Sequence, residues 1–282
     1  MSKRFFLLLA AGLILIQVFF PFNTRAQGNL LITPKRAVFE GNKRSMDLNL
    51  ANVGDDTATY AISLVQIRMT AEGGFETITE PDEGQLFASP YLRLFPRSVT
   101  LGPNEAQTVK VQLIKAGSLA PGEYRSHVYF RAVPKEKPLG EEEVTQQDPS
   151  SISVKLVPIF GITIPVIIRV GKPSVNVTLS DLVLRFENDT IPKLKLTFNR
   201  AGNYSVYGDI SVDHVSPVGE ITRVGIANGL AVYTPNTKRS FEFNLINTSG
   251  VDLKSGKLLV TYSAPSDVKP EKYAETELML YR

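Results

Sequence analysis

The 282-residue chain has no cysteine, only two histidines, and no apolar stretch approaching membrane-spanning length beyond its first twenty residues except one alternating run taken up below. Without cysteine a disulfide framework is excluded. Folded cores must stand on apolar burial alone, for which a hydrophobic content of 43% is ample. His127 sits in a strand-like segment and His214 near the turn Ser216-Pro217, with no metal-ligand spacing and no nucleophile elbow around either. No glycine-rich phosphate loop follows any strand-like run. These gaps argue against an enzyme, a metal site and a bound cofactor.

Net charge is also missing once the first segment is set aside. Lys3 and Arg4 precede an apolar stretch from Phe5 to Phe20, Pro21 breaks it, and Thr24-Arg25-Ala26 offers a small residue at the expected cut. This is the layout of a secretory signal peptide over residues 1–26, with Gln27 as the mature N-terminus and the periplasm as destination. An uncleaved anchor is the alternative, because the stretch comes near the roughly 20 residues that span a bilayer. No cysteine follows the leader, so a bacterial lipoprotein is excluded. The leader's three basic residues account for the whole formal charge of +3, and the rest of the chain is neutral. A neutral chain lacks the basic footprint of a nucleic-acid binder.

What is present is strand after strand. Leu30–Phe39, Ser45–Ala51, Tyr60–Met69, Ala106–Leu113 and Tyr124–Ala132 are short runs rich in alternating apolar residues. Gly41-Asn42, Gly73-Gly74, Gly102-Pro103-Asn104 and Pro121-Gly122 punctuate them as turns. No apolar period of 3.6 runs for three turns. The pattern predicts an all-β chain of sandwich type. Pro134 to Ser151, with Glu141-Glu142-Glu143 at its centre, reads as a solvated, mobile loop; it lacks the spaced ligands of a calcium loop. Gly171-Lys172-Pro173 marks the expected boundary between a domain over residues 27–170 and another over 171–282. Beyond it about seven further strands are expected, with Asn199 to Asn203 read as a turn.

The run from Ile152 to Arg169 is the most informative segment. Ile152, Val154, Leu156, Phe160, Ile162 and Ile164 fall on alternate positions, against Ser153, Lys155, Gly161 and Thr163. At about 3.3 Å per residue the extended run exceeds roughly 50 Å, far beyond an ordinary strand. Such a strand at a sheet edge invites pairing with another chain. The pattern is equally that of a buried core strand running on into a linker, and periodicity does not separate the two.

Three stretches bear a family resemblance. The first is Ile32-Thr33-Pro34-Lys35-Arg36-Ala37-Val38-Phe39 followed by Ser45 through Asn52. The second is Pro90-Tyr91-Leu92-Arg93-Leu94-Phe95-Pro96 followed by Leu101-Gly102-Pro103-Asn104-Glu105-Ala106-Gln107. The third is Pro121-Gly122-Glu123-Tyr124-Arg125-Ser126 through Pro134. In order and spacing they resemble the PapD-like periplasmic pilus chaperones, in a divergent branch, and together they span most of residues 30–170. The second domain is matched only in strand pattern.

The resemblance implies two immunoglobulin-like sandwiches in an L-shaped arrangement and a chaperone for fimbrial or pilus subunits, working with an outer-membrane usher. It implies that the last strand of the first domain is donated to a subunit's incomplete fold, a role that falls by position on Ile152, Val154, Leu156, Phe160 and Ile162. It also implies that Arg36 anchors the subunit's terminal carboxylate. A lysine partners that arginine in the family, but here Pro165 stands at the expected position, leaving Lys155 or Arg169 as possible second anchors. A tandem-sandwich adhesin is the competing expectation, and a hydrolase with a dispersed site a more distant one.

Overall fold

A computed structural model describes residues 30–134, 159–188, 190–246, 250–266 and 268–280. The leader, the Glu141–Glu143 loop and the positions Ile152, Val154, Lys155 and Leu156 lie outside the described residues. Within them the chain is strand and turn, with two single-turn 3-10 helices, Ser89–Tyr91 and Ala116–Ser118, and no α-helix.

The first sandwich pairs two sheets. One is built from β1 (Leu30–Thr33), β3 (Ser45–Asn52), β9 (Ala106–Leu113) and β7 (Leu92–Phe95), in that order. The other runs β2 (Ala37–Phe39), β11 (Gly161–Val170), β10 (Gly122–Val133), β4 (Ala58–Met69) and β5 (Phe75–Ile78). Two short strands, β6 (Leu86–Phe87) and β8 (Ser98–Leu101), add to β10 and β4. Alternation explains the layering. In β9, Val109, Val111 and Leu113 are buried while Lys110 and Gln112 face water. Leu48 and Leu50 do the same from β3, and Val128 and Phe130 from β10 close the core. Asn52 ends β3 inside this sandwich. Its amide donates to the carbonyls of Asp56, Leu101 and Gly102 at 2.8–3.1 Å and its oxygen accepts from the Gly54 N–H, so a buried polar group stands fully paired.

The second sandwich also has two sheets. One holds β12 (Val175–Glu187), β13 (Ile191–Gly202) and β16 (Lys238–Asn244); the other holds β15 (Ile221–Val232), β14 (Val206–Val215), β17 (Lys257–Ser263) and β18 (Lys272–Met279). Leu194, Leu196 and Phe198 of β13 pack against Ile210, Val212, Val260 and Tyr262. The expected turn over Asn199 to Asn203 is a correction: β13 continues to Gly202. The buried Arg200 guanidinium holds it there by donating to the carbonyls of Asn236, Gly202 and Tyr204 at 2.8–3.0 Å.

The long alternating run resolves into two regimes. From Ile164 to Ile168, β11 is part of the first core, with Ile164, Val166 and Ile168 buried. It pairs there with β10 on one side and, over Val166–Ile168, with β2 in parallel on the other. From Gly161 to Pro165 it pairs with β10 alone, and no strand lies on its outer edge among the described residues.

Candidate functional site

β10 is where the two sandwiches meet. Its even positions face the first core, so its odd positions, Glu123, Arg125 and His127, point the other way. A strand reading polar at every second place would ordinarily show that face to water. Here all three are buried, because the second sandwich covers them.

Glu123 is the centre of the junction. Its side chain has no exposure and its carboxylate accepts from Arg125 (2.5 Å), Arg169 Nε (3.0 Å), the Ser205 N–H (3.0 Å) and the Ser205 hydroxyl (2.8 Å). Burial alone would raise its pKa, but the charges of Arg125 and Arg169 and the two Ser205 hydrogen bonds outweigh burial and hold it at about 2. Ser205 belongs to the second sandwich, so this network ties the two together. Other ties add to it: the Asn236 amide donates to the Met69 carbonyl at 2.7 Å, and the Ser240 N–H to the Ala71 carbonyl at 2.7 Å. Tyr204 donates to the carbonyl of Gly171, whose φ of +91° turns the connection between sandwiches.

Beside this network opens a cleft of about 160 Å³, lined by Arg36, Arg125 and Arg239 together with Tyr207, Tyr233 and Pro165. Arg125 lies 3.6 Å from the Tyr233 ring centre and spends its Nη2 on Glu123 and Ser205. Arg36 stacks on Tyr207 at 4.2 Å and has no carboxylate partner among the described residues. Burial and the nearby charges of Arg125 and Arg169 both lower its pKa, the signature of a cation short of anions. His127 is kept neutral by burial and by Arg125, its pKa lowered to about 3. His214 meets the Ser255 carbonyl at 2.8 Å in the second sandwich. No group of His, Asp or Glu that could hold a metal ion occurs among the described residues.

Several solved chaperone structures are similar to this chain. The structure is similar to the YadV chaperone at 13% identity, covering 89% of this chain and 100% of that one, with a TM-score of 0.43. It is similar to the chaperone–tip subunit complex CsuC–CsuE, from the archaic chaperone–usher Csu pili of Acinetobacter baumannii, at 12% identity, 90% and 100% coverage and a TM-score of 0.44. The E. coli chaperone DraB gives 11% identity, 90% and 98% coverage and a TM-score of 0.43. No family model and no curated protein matches the sequence.

The sequence-derived positions separate cleanly in space. Arg36 lies in the cleft. Phe160 and Ile162 lie at the open edge of β11, 51% and 38% exposed. Arg169 is spent on two carboxylates, Glu40 at 2.8 Å and Glu123 at 3.0 Å, and packs on Tyr204. Pro165 lines the cleft and contributes no charge there. Sequence reasoning missed Glu123, Arg125 and Arg239; the only signal was a charged residue on alternate places of an otherwise apolar strand.

Proposed function

We propose that the protein is a periplasmic assembly chaperone for fimbrial or pilus subunits, without nucleotide, metal or enzymatic activity. Residues 27–170 and 171–282 form its two domains, and the segment from residue 152 to 164 lends its edge to a subunit's incomplete sandwich. The single observation behind this reading is the one-sided stretch of β11, Gly161 to Pro165, with Phe160 and Ile162 half-exposed beside it. An apolar strand with one row of backbone groups unpaired is an aggregation hazard unless a partner strand is its purpose. The alternation continues back through Leu156, Val154 and Ile152. Arg36, in the adjoining cleft, suits the partner's terminal carboxylate, since a charge-assisted hydrogen bond to it is worth about 1.5–3 kcal/mol. Solved neighbours that are fimbrial chaperones agree with this reading, and an outer-membrane usher is the expected downstream partner.

The test is capture. The full chain purified from its own periplasm is expected to carry a secreted subunit one-to-one, and that subunit is expected to vanish when the chain is deleted. Ile162→Asp sets a charge at the half-exposed edge and is expected to abolish capture while leaving the unfolding midpoint within about 1 kcal/mol of the parent. Normal capture by Ile162→Asp would move the docking edge elsewhere. A chain found outside the cell, with other proteins' levels unaffected by its deletion, would make it an adhesin instead.

A further inference from the structure

We infer that the cleft grips a carboxylate with two guanidinium groups, one from each sandwich: Arg36 before β2 and Arg239 on β16. The inference rests on the reading that a partner's terminal carboxylate enters this cleft, and it names the second cation that Pro165 does not supply.

Arg239 lines the same cavity as Arg36. It makes no ion pair with any carboxylate among the described residues. Its Nε is buried with no hydrogen-bond partner among them. A buried guanidinium N–H without an acceptor is costly, and an incoming anion is the natural remedy. The rest of the group is already positioned. Its Nη1 donates to the Ala231 carbonyl, and its charge lies 5.7 Å from the Phe241 ring centre. Gly73, at the tip of the turn between β4 and β5, packs against it so closely that any Cβ there would strike the guanidinium. That turn is fixed in its own right: the Gly73 N–H donates to the Thr70 carbonyl at 3.0 Å and the Gly74 N–H to the Thr70 hydroxyl at 3.1 Å. One residue on from Arg239, Ser240 pairs with Ala71 of the same turn. The first sandwich thus presses Arg239 into the cleft.

Arg36 and Arg239 both line this one cavity of about 160 Å³. Of the other cations, Arg125 and Arg169 have their charge met by Glu123, although the Arg125 Nε, like that of Arg239, lacks a hydrogen-bond partner among the described residues, and Lys35 is exposed to water. A carboxylate has two oxygens with free lone pairs on both sides, so two separate guanidiniums can each take one. Because the two come from different sandwiches, binding would also depend on how the sandwiches are set against each other.

The test uses the full chain purified from the periplasm, titrated with N-acetylglycine and, separately, with its uncharged amide. The arginine Nε–H signals are followed by NMR and assigned with R36K and R239K. Both the Arg36 and Arg239 signals are expected to move with the acid and not with the amide. R239Q is expected to weaken binding at least about tenfold, equivalent to about 1.4 kcal/mol, while R239K recovers part of the loss. Movement of Arg36 alone, with R239Q binding as tightly as the parent, would overturn this inference and leave the carboxylate reading of the cleft standing. No movement of either signal would overturn both. Should R239Q unfold, the Arg239 signal of the unaltered chain still decides the matter.

Discussion

The junction between the two sandwiches has two halves built from the same residue types and completed to different degrees. Around Glu123, one buried carboxylate meets Arg125, Arg169 and Ser205, and each of its two oxygens takes at least one donor at 3.0 Å or less. Around Arg36 and Arg239, both guanidiniums lie over rings and that of Arg239 also bonds the Ala231 carbonyl, but no carboxylate reaches them among the described residues. The first half is closed and the second is open. The closed half lends rigidity through its carboxylate, both of whose oxygens are taken up, although the buried Arg125 Nε has no hydrogen-bond partner among the described residues. The open half, on the proposed reading, takes an anion from outside. The same contrast runs along β11, paired on both edges over Val166–Ile168 and on one edge over Gly161–Pro165. On the proposed reading, residues that hold the structure and residues that meet a partner are neighbours, and substitutions should tell them apart.

The largest effect is expected in the closed half. Glu123→Ala leaves Arg125 buried without its counter-charge, and breaking a buried pair from one side costs about 3–5 kcal/mol. Urea unfolding should show this as a lower midpoint. A loss under about 1 kcal/mol would mean the network is slack and the comparison false.

Acid should sharpen the same contrast. The Glu123 pKa is held at about 2 against an ordinary 4.5, so its contribution, about 3 kcal/mol at full strength, is present above pH 4.5 and disappears as pH falls towards 2. His127 acts over a higher window. Its folded pKa is lowered to about 3 from 6.5, so below pH 6.5 the unfolded chain takes up a proton that the folded chain refuses, and stability declines from there. The stability profile is expected to bend twice on acidification, first below 6.5 and again below 4.5. His127→Gln should remove the first bend and keep the second, read by urea midpoints at half-unit pH steps.

Much of the fold was legible from the sequence, because alternation such as Val109-Lys110-Val111-Gln112-Leu113 admits one burial pattern on a half-exposed sheet. The resemblance of the surrounding strand and turn singled out Arg36, and the structure puts that residue in the cleft. The polar face of β10 was not. Glu123, Arg125 and His127 alternate with apolar residues just as solvent-facing residues do, and only the arrival of Ser205 and Tyr233 from far along the chain buries them. Arg239 was hidden for the same reason: in Lys238-Arg239-Ser240-Phe241-Glu242 it reads as one more surface charge, and its place in the cleft depends on a turn more than 160 residues earlier. The residues that sequence missed are those whose environment is supplied by the other sandwich.

The smallest effect on stability is expected in the open half, and it carries the most meaning. Arg36→Ala gives up stacking on Tyr207, worth about 0.5–1 kcal/mol at a partly exposed site. It also relieves the burial of a charge and, after that, the repulsion from Arg125 and Arg169, which together lower the Arg36 pKa. The two changes oppose each other, so the unfolding midpoint should move by less than about 1 kcal/mol in either direction. Capture of the subunit should nevertheless fall at least about tenfold, because a charge-assisted bond to the partner is lost. A residue that holds the fold would show the reverse, with stability falling and any binding loss following from it. Unaltered capture by Arg36→Ala would take this arginine out of the anchor role and with it the distinction between a closed and an open half.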